Sequence, residues 1–90
     1  MTDAARALTI LCDEYLNGRL GAEQFVSKFQ LLFEDNQERL TKDEFDAFDE
    51  IYMACEYFQP EADIREMEHY LIDENELKEK VKQVKQLRAN

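Results

Sequence analysis

Apolar residues recur at three- and four-residue steps in four stretches of the chain, the spacing of one face of an α-helix. The stretches span residues 3–16, residues 22–34, a segment from Thr41 to just before Pro60, and residues 73–87. Four amphipathic helices of this kind can bury their apolar faces only against one another. The pattern therefore predicts an all-α fold, and specifically an antiparallel four-helix bundle. The predicted core positions are Ala4, Leu8, Leu11, Cys12, Tyr15 and Leu16; Phe25, Val26, Phe29, Leu32 and Phe33; Phe45, Phe48, Ile51, Tyr52, Cys55 and Phe58; and Leu77, Val81 and Val84.

Two of the predicted helices have clear end signals. Gly18 follows the first stretch, and glycine readily adopts the left-handed conformation that closes helices. Thr41 and Glu44 have the spacing of a capping box, in which each side chain binds a free backbone N–H at the helix start. Pro60 ends the third helix, because the residue before a proline is forced out of helical geometry.

The other boundaries are less distinct. The polar run 35–37 weakens the second helical pattern, which predicts a loop from there to Leu40. Residues 61–72 fit a short helix followed by an extended piece. Asp73 and Glu76 have capping-box spacing, so the last helix is predicted to begin there.

The charge is unevenly distributed. The 90 residues, enough for one domain, hold 21 acidic and 11 basic residues, a net charge of −10. Twelve of the acids lie between Glu44 and Glu76, where Arg65 is the only lysine or arginine. Such a surface attracts cationic partners and repels nucleic acid and anionic membranes. The alternative is that the charge only keeps a small protein soluble.

Candidate binding residues lie around the end of the third helix. At about 100° per residue, Asp49, Met53 and Glu56 are predicted to share a ridge beside the buried stripe, with Glu50 and Tyr57 further round. The ridge continues into the segment 59–63. Methionine and tyrosine among carboxylates could anchor a protein partner, since such groups are favoured in binding hot spots. The alternative is a solvated acidic face.

The sequence offers little chemistry of its own. We expect no enzyme, metal or cofactor site: His69 is a lone histidine, and Cys12 and Cys55 lack metal-ligand spacing and fit buried free thiols. The run 73–77 departs from a calcium loop because the required glycine is missing. Ser27 lies mid-helix, unlike the attachment serine of an acyl-carrier protein. With no secretory signal or apolar run of about 20 residues, we expect a cytoplasmic protein.

One segment resembles a known family. The stretch Ala54-Cys55-Glu56-Tyr57-Phe58-Gln59-Pro60-Glu61-Ala62-Asp63, followed by Tyr70-Leu71-Ile72-Asp73-Glu74 and Leu77-Lys78, is similar to the colicin D immunity proteins. The runs Tyr15-Leu16-Asn17-Gly18 and Ala22-Glu23-Gln24-Phe25 also look like the first two helices of that family. The likeness covers most of the chain and is most specific over residues 48–81.

The resemblance implies a function. Proteins of this family are four-helix bundles that neutralise a ribonuclease toxin, which cleaves transfer RNA, by filling its basic active site with acidic residues. It implies a 1:1 complex with such a toxin, without nucleic acid or membrane. By position, Glu56, Glu61 and Asp63 would mimic RNA phosphates, and Asp49 and Glu50 would add charge. Gln59 departs from the family, which has a carboxylate there. The predicted toxin-binding residues are Asp49, Glu50, Met53, Glu56, Tyr57, Gln59, Glu61 and Asp63.

Two other functions remain open from the sequence. An acidic helical protein could mimic nucleic acid to block a host factor such as a repressor or restriction enzyme. It could also be a regulatory bundle that associates with itself.

Overall fold

The computed structural model describes residues 1–89, with side chains to residue 87. The α-helices are α1 (Asp3–Leu16), α2 (Ala22–Asn36), α3 (Lys42–Tyr57), the single turn α4 (Ala62–Arg65) and α5 (Glu74–Ala89), and a 3₁₀ turn spans Gln37–Arg39. Over these residues no strand forms beyond one isolated β-bridge. The all-α prediction is confirmed.

The helix starts follow the predicted caps. The Thr41 hydroxyl accepts from the Glu44 backbone N–H at 3.1 Å, and the Glu44 carboxylate accepts from the Thr41 N–H at 3.0 Å, so the capping box is present. At the start of α5, the Asp73 carboxylate accepts from the Glu76 N–H at 2.9 Å. Gly18 has a φ of +79°, the left-handed conformation expected after α1.

The predicted loop from residue 35 to Leu40 is wrong. Helix α2 continues to Asn36, and the chain then forms the 3₁₀ turn. The Asn36 side-chain amide donates to the Leu32 carbonyl at 2.9 Å, a contact to the residue four positions earlier. The polar run therefore lies in regular or 3₁₀ helix and not in an open loop.

Aromatic rings from three helices pack together in the core. Tyr15 of α1 stacks on Phe25 of α2, with ring centroids 4.4 Å apart. Phe29 lies 6.3 Å from Phe48 of α3. Helix α5 adds the predicted positions Leu77, Val81 and Val84, all buried. Helix α1 packs against α2 and α5, and α3 packs against the same two helices.

A buried carboxylate joins two helix starts. Glu44 is only 3% exposed, and its oxygens accept from the Thr2 N–H at 3.0 Å and the Thr2 hydroxyl at 2.8 Å in addition to the Thr41 N–H. Thr2 caps α1, so the negative charge lies at the positive ends of two helix dipoles. The N-termini of α1 and α3 are therefore at one end of the molecule. The C-terminal end of α3, with the candidate binding residues, lies about 20 Å away.

Within residues 1–89, no helix is long and apolar enough to cross a membrane. Cys12 and Cys55 are buried free thiols, as predicted.

Candidate functional site

Four of the eight predicted residues line one groove between α3 and α5. Asp49, Glu50, Met53 and Tyr57 form its α3 side. Residues 49, 53 and 57 are four positions apart, so they stack along one ridge of the helix. The groove measures about 380 Å³; across it lie Ile72, Glu76 and Lys80. We call this the α3–α5 groove. Met53 and Tyr57 are 42% and 38% exposed, large apolar surfaces between carboxylates.

Glu56 lies apart from the groove, contrary to the predicted shared ridge with Asp49 and Met53. Its carboxylate accepts from the Gln30 side-chain amide of α2 at 3.2 Å. Consecutive residues are separated by about 100° around a helix, so when Tyr57 borders the groove beside α5, Glu56 turns toward α2. Burial, with the nearby carboxylates of Glu34 and Glu56, raises the pKa of Tyr52 on that same side.

The chain after α3 forms a loop closed at its base. The Gln59 N–H donates to the Ile72 carbonyl at 3.0 Å, and the Ile72 N–H donates to the Tyr57 carbonyl at 2.9 Å. These bonds make a parallel bridge between Phe58 and Ile72. We call residues 59–72 the acidic loop. Pro60 explains why it starts here, because it holds the preceding backbone extended and so able to pair.

Gln59 and Arg65 form hydrogen bonds within the acidic loop. The Arg65 guanidinium donates to the Gln59 carbonyl at 2.7 Å, and the Glu61 N–H donates to the Gln59 side-chain oxygen at 3.2 Å. The Gln59 side chain thus contributes to loop structure as well as to the predicted surface. A carboxylate at this position could accept the same bond from Glu61.

The carboxylates of the acidic loop form no ion pair with any described residue. Glu61 and Asp63 are exposed and, in the part of the chain that the structure describes, neither forms an ion pair. Glu66 and Glu68 are exposed as well. Arg65 is the only lysine or arginine in the segment, and its guanidinium donates to a backbone carbonyl. The loop therefore presents a concentrated negative field to solvent.

Sequence reasoning missed the apolar groups of the acidic loop. Met67 is 80% exposed and Tyr70 is 58% exposed. The Tyr70 ring meets the Tyr57 ring edge to face, with centroids 5.7 Å apart. This contact joins the loop to the α3–α5 groove, and together they form what we call the acidic surface. No signal in the sequence revealed this exposure, because Ile64, Met67 and Leu71 have helical spacing and so fitted the predicted short helix.

Lys80 is a second residue that the sequence did not indicate. It is half-buried in the groove, beside Asp49, Glu50 and Glu76. Its position on a lysine-rich helix gave no signal, because the sequence does not show which lysine of α5 faces α3. The ion pairs of that helix include Lys78 with Glu74, and Lys85 with Asp13 of α1.

A larger depression of about 630 Å³ lies behind the acidic loop. It is bordered by the N-termini of α2 and α5, by Phe58 and Pro60, and by Arg65. It is wide open, and its walls bring together no nucleophile with a base. Among the described residues, no three histidine, cysteine or carboxylate side chains lie close enough to hold a metal ion.

Comparison with protein-family models gives no match, and no curated protein matches the sequence significantly. The geometry of the acidic surface and the resemblance of residues 48–81 are therefore the basis for a functional assignment.

Proposed function

We propose that this protein is a cytoplasmic immunity protein that binds and neutralises a transfer-RNA-cleaving ribonuclease toxin of the colicin D or contact-dependent type. It would act by binding alone, without catalysis or a cofactor. The main supporting observation is the acidic surface, where exposed Met53, Tyr57 and Tyr70 lie among carboxylates that have no cationic partner from their own segment. A basic partner would supply the missing charges.

The proposal includes the finer architecture, an antiparallel four-helix bundle of α1, α2, α3 and α5. Packing of α1 and α3 each against both α2 and α5 supports it, because it closes a ring of four helices. Glu44 supports it too, since it places the starts of α1 and α3 at the same end. In such a ring these two helices are diagonal, and each runs opposite to its neighbours.

In the proposed 1:1 complex, carboxylates take the place of RNA phosphates. Glu61 and Asp63 are exposed on the acidic loop and would enter the basic cleft of the toxin, where lysine and arginine bind phosphate. Glu56 would contribute from the α2 side of α3. Asp49 and Glu50 would add long-range attraction, which accelerates association. Because the toxin needs its cationic groups for RNA, it could not lose them to escape inhibition.

The apolar groups would provide specificity, because charge alone attracts any basic surface. Met53, Tyr57 and Tyr70 offer adaptable or rigid apolar area at the centre of the charge. Gln59 would act mainly by shaping the loop that presents Glu61. The surface would exclude nucleic acid itself, which carries the same sign of charge.

The proposal is tested with a basic transfer-RNA-cleaving nuclease domain of the colicin D or contact-dependent type, which the proposal predicts to be encoded beside this gene. We expect an equimolar amount of the protein to abolish transfer-RNA cleavage, and titration calorimetry to give a 1:1 complex that weakens as salt rises. The variant Glu61→Lys/Asp63→Lys should lose inhibition and bind at least ~100-fold more weakly, given the cost of placing like charges in a basic cleft.

The matched control is Glu38→Lys/Asp43→Lys, which makes the same change in net charge at exposed positions near the start of α3, away from the acidic surface. It should retain inhibition. Equal loss in both variants would mean that only total charge matters, and full activity of the first variant would rule out this surface. Inhibition of a host DNA-binding protein instead of the nuclease would favour nucleic-acid mimicry.

A further inference from the structure

A second exposed apolar area lies on the other pair of helices. Ile10 of α1 and Leu31 of α2 are 56% and 63% exposed, and they border a groove of about 430 Å³ between these helices. We call this the α1–α2 face. Its lining is completed by Ala7, Leu11, Lys28, Leu32 and Asp35. Large apolar side chains that are grouped on a surface, rather than scattered, indicate an interaction site.

The charges of the α1–α2 face have a particular arrangement. Lys28 and Asp35 are seven residues apart on α2, two turns of the helix, with Leu31 and Leu32 midway between them. Both are exposed, and neither forms an ion pair with another described residue. The face therefore presents one positive and one negative end on either side of an apolar centre.

We propose that the α1–α2 face binds a second copy of this chain. If two α2 helices cross antiparallel about a twofold axis at Leu31, Lys28 of one copy faces Asp35 of the other, and the same pair repeats on the opposite side. A twofold interface must be complementary to itself. A face with equal and opposite charges about its centre meets that condition, whereas a uniformly charged partner would be attracted at one end and repelled at the other.

The distribution of charge permits this dimer despite the net charge of −10. Twelve of the 21 acids lie between residues 44 and 76, outside α1 and α2. The acidic surface is built from α3, α5 and the acidic loop, so it would stay open in the dimer. The inference is thus independent of the proposed toxin binding, and either can fail alone.

Sedimentation equilibrium over about 10 μM to 1 mM tests the dimer, because small interfaces bind weakly. We expect the wild-type mass to rise toward that of a dimer. Leu31→Glu should remain monomeric throughout the range, with an unchanged circular dichroism spectrum. A wild-type protein that stays monomeric at 1 mM would overturn the proposal.

Charge exchange tests the antiparallel arrangement. Lys28→Glu alone and Asp35→Lys alone each place like charges opposite one another, so each should weaken self-association about tenfold or more. An equimolar mixture should recover it, because both pairs across the mixed dimer are then attractive. Lys82→Glu, the same charge change on α5, is the control and should dimerise as before, allowing for net charge. Unaffected single variants, or a mixture that does not recover, would exclude this interface.

Discussion

The Tyr15 hydroxyl is a buried polar group without a partner. The ring is 2% exposed and stacked on Phe25, and its oxygen forms no hydrogen bond within the described residues. Burial is the main cause that raises the pKa of this phenol, and Glu74 adds to it. A buried hydroxyl that loses its bonds to water costs free energy, whereas its ring contributes apolar burial. The hydroxyl of Tyr15 therefore lowers the stability of the fold, and the ring raises it.

Tyr15→Phe should accordingly leave the free energy of unfolding unchanged or raise it by about 1 kcal/mol, because it removes the unpaired group and keeps the ring. Urea unfolding followed by circular dichroism measures this. Tyr52→Phe is the matched control: its hydroxyl is only partly buried and lies near the Glu56 carboxylate, so its removal should not raise stability. A clear loss of stability in Tyr15→Phe would show that the hydroxyl has a partner after all.

The two buried thiols make stability depend on alkaline pH. Burial raises the pKa of Cys12 and Cys55 to about 12, from an ordinary value of 9.0. A thiol whose folded pKa is raised keeps its proton in the folded state while the unfolded chain loses it. This contribution to stability is complete below pH 9 and is lost as the pH rises toward 12.

We expect the free energy of unfolding to fall by about 1.4 kcal/mol per thiol for each pH unit above 9. Urea unfolding at pH 8, 9 and 10 measures the slope. Cys12→Ala/Cys55→Ala should show a shallower slope, and it corrects for the tyrosines and lysines that titrate in the same range. Identical slopes in the two proteins would contradict raised thiol pKa values.

At the scale of elements, the acidic loop depends on few contacts. Its base is closed by the bridge of Phe58 with Ile72, and Arg65 ties its single turn α4 back to Gln59. No residue of α4 is buried. A segment with so little apolar burial opens more easily than the helices. Its shape is therefore set by hydrogen bonds, not by packing.

Arg65→Met, which keeps the apolar stem and removes the guanidinium, should loosen the acidic loop without unfolding the helices. We expect faster hydrogen exchange at the amides of Gln59 and Ile72, a change of under ~1 kcal/mol in the free energy of unfolding, and weaker toxin binding. Exchange followed by mass spectrometry on peptides covering 59–72 measures it. Arg39→Met, an exposed arginine on the 3₁₀ turn, is the control. Unchanged exchange in the loop would mean that the arginine does not hold it.

The sequence predicted the features that join residues close together in the chain and missed those that join distant residues. The caps at Thr41 and Asp73 join residues three apart, and local spacing revealed them. The core positions Leu77, Val81 and Val84 followed from helical periodicity and are all buried. The bond of Glu44 to Thr2 joins residues 42 apart, and no local pattern encodes it.

For the candidate surface too, the sequence predicted what depends on local spacing and missed what depends on distant contacts. Asp49, Glu50, Met53 and Tyr57 were predicted from one helix and do share one groove. The exposure of Met67 and Tyr70 was not predicted, because it depends on the loop closing between positions 58 and 72. Whether these residues bind a toxin stays a prediction, since their positions alone do not identify a partner.

At the scale of the whole molecule, the acidic surface should cost stability. Residues 44–76 hold twelve acids and only one lysine or arginine, and the acids exposed on the acidic surface repel one another in the folded state. The rest of the chain, including α1 and α2, is close to neutral. A charge distribution that served only solubility would not need to be concentrated in this way. A locally concentrated charge is expected if the surface binds a partner of opposite charge. Functional surfaces are often retained although they lower stability.

Neutralising part of this surface should therefore stabilise the protein and weaken its binding. Glu50→Gln/Glu61→Gln/Glu66→Gln should raise Tm by about 4–8 °C at low salt, if the relieved repulsion is about 1 kcal/mol in a chain of this length. The gain should shrink in 0.5 M salt because screening already weakens the repulsion. Calorimetric scans at both salt concentrations measure it, with titration against the nuclease alongside.

The matched set Glu14→Gln/Glu23→Gln/Glu38→Gln changes the net charge equally in the near-neutral part of the chain. It should leave Tm unchanged or slightly lower, and leave binding intact. Glu23 lies in the first turn of α2, where its charge is favourable to the helix dipole, so this set should lose a little stability if anything. An equal rise in Tm from both sets would mean that the repulsion is spread over the molecule. Charge repulsion would then not be specific to the proposed binding surface.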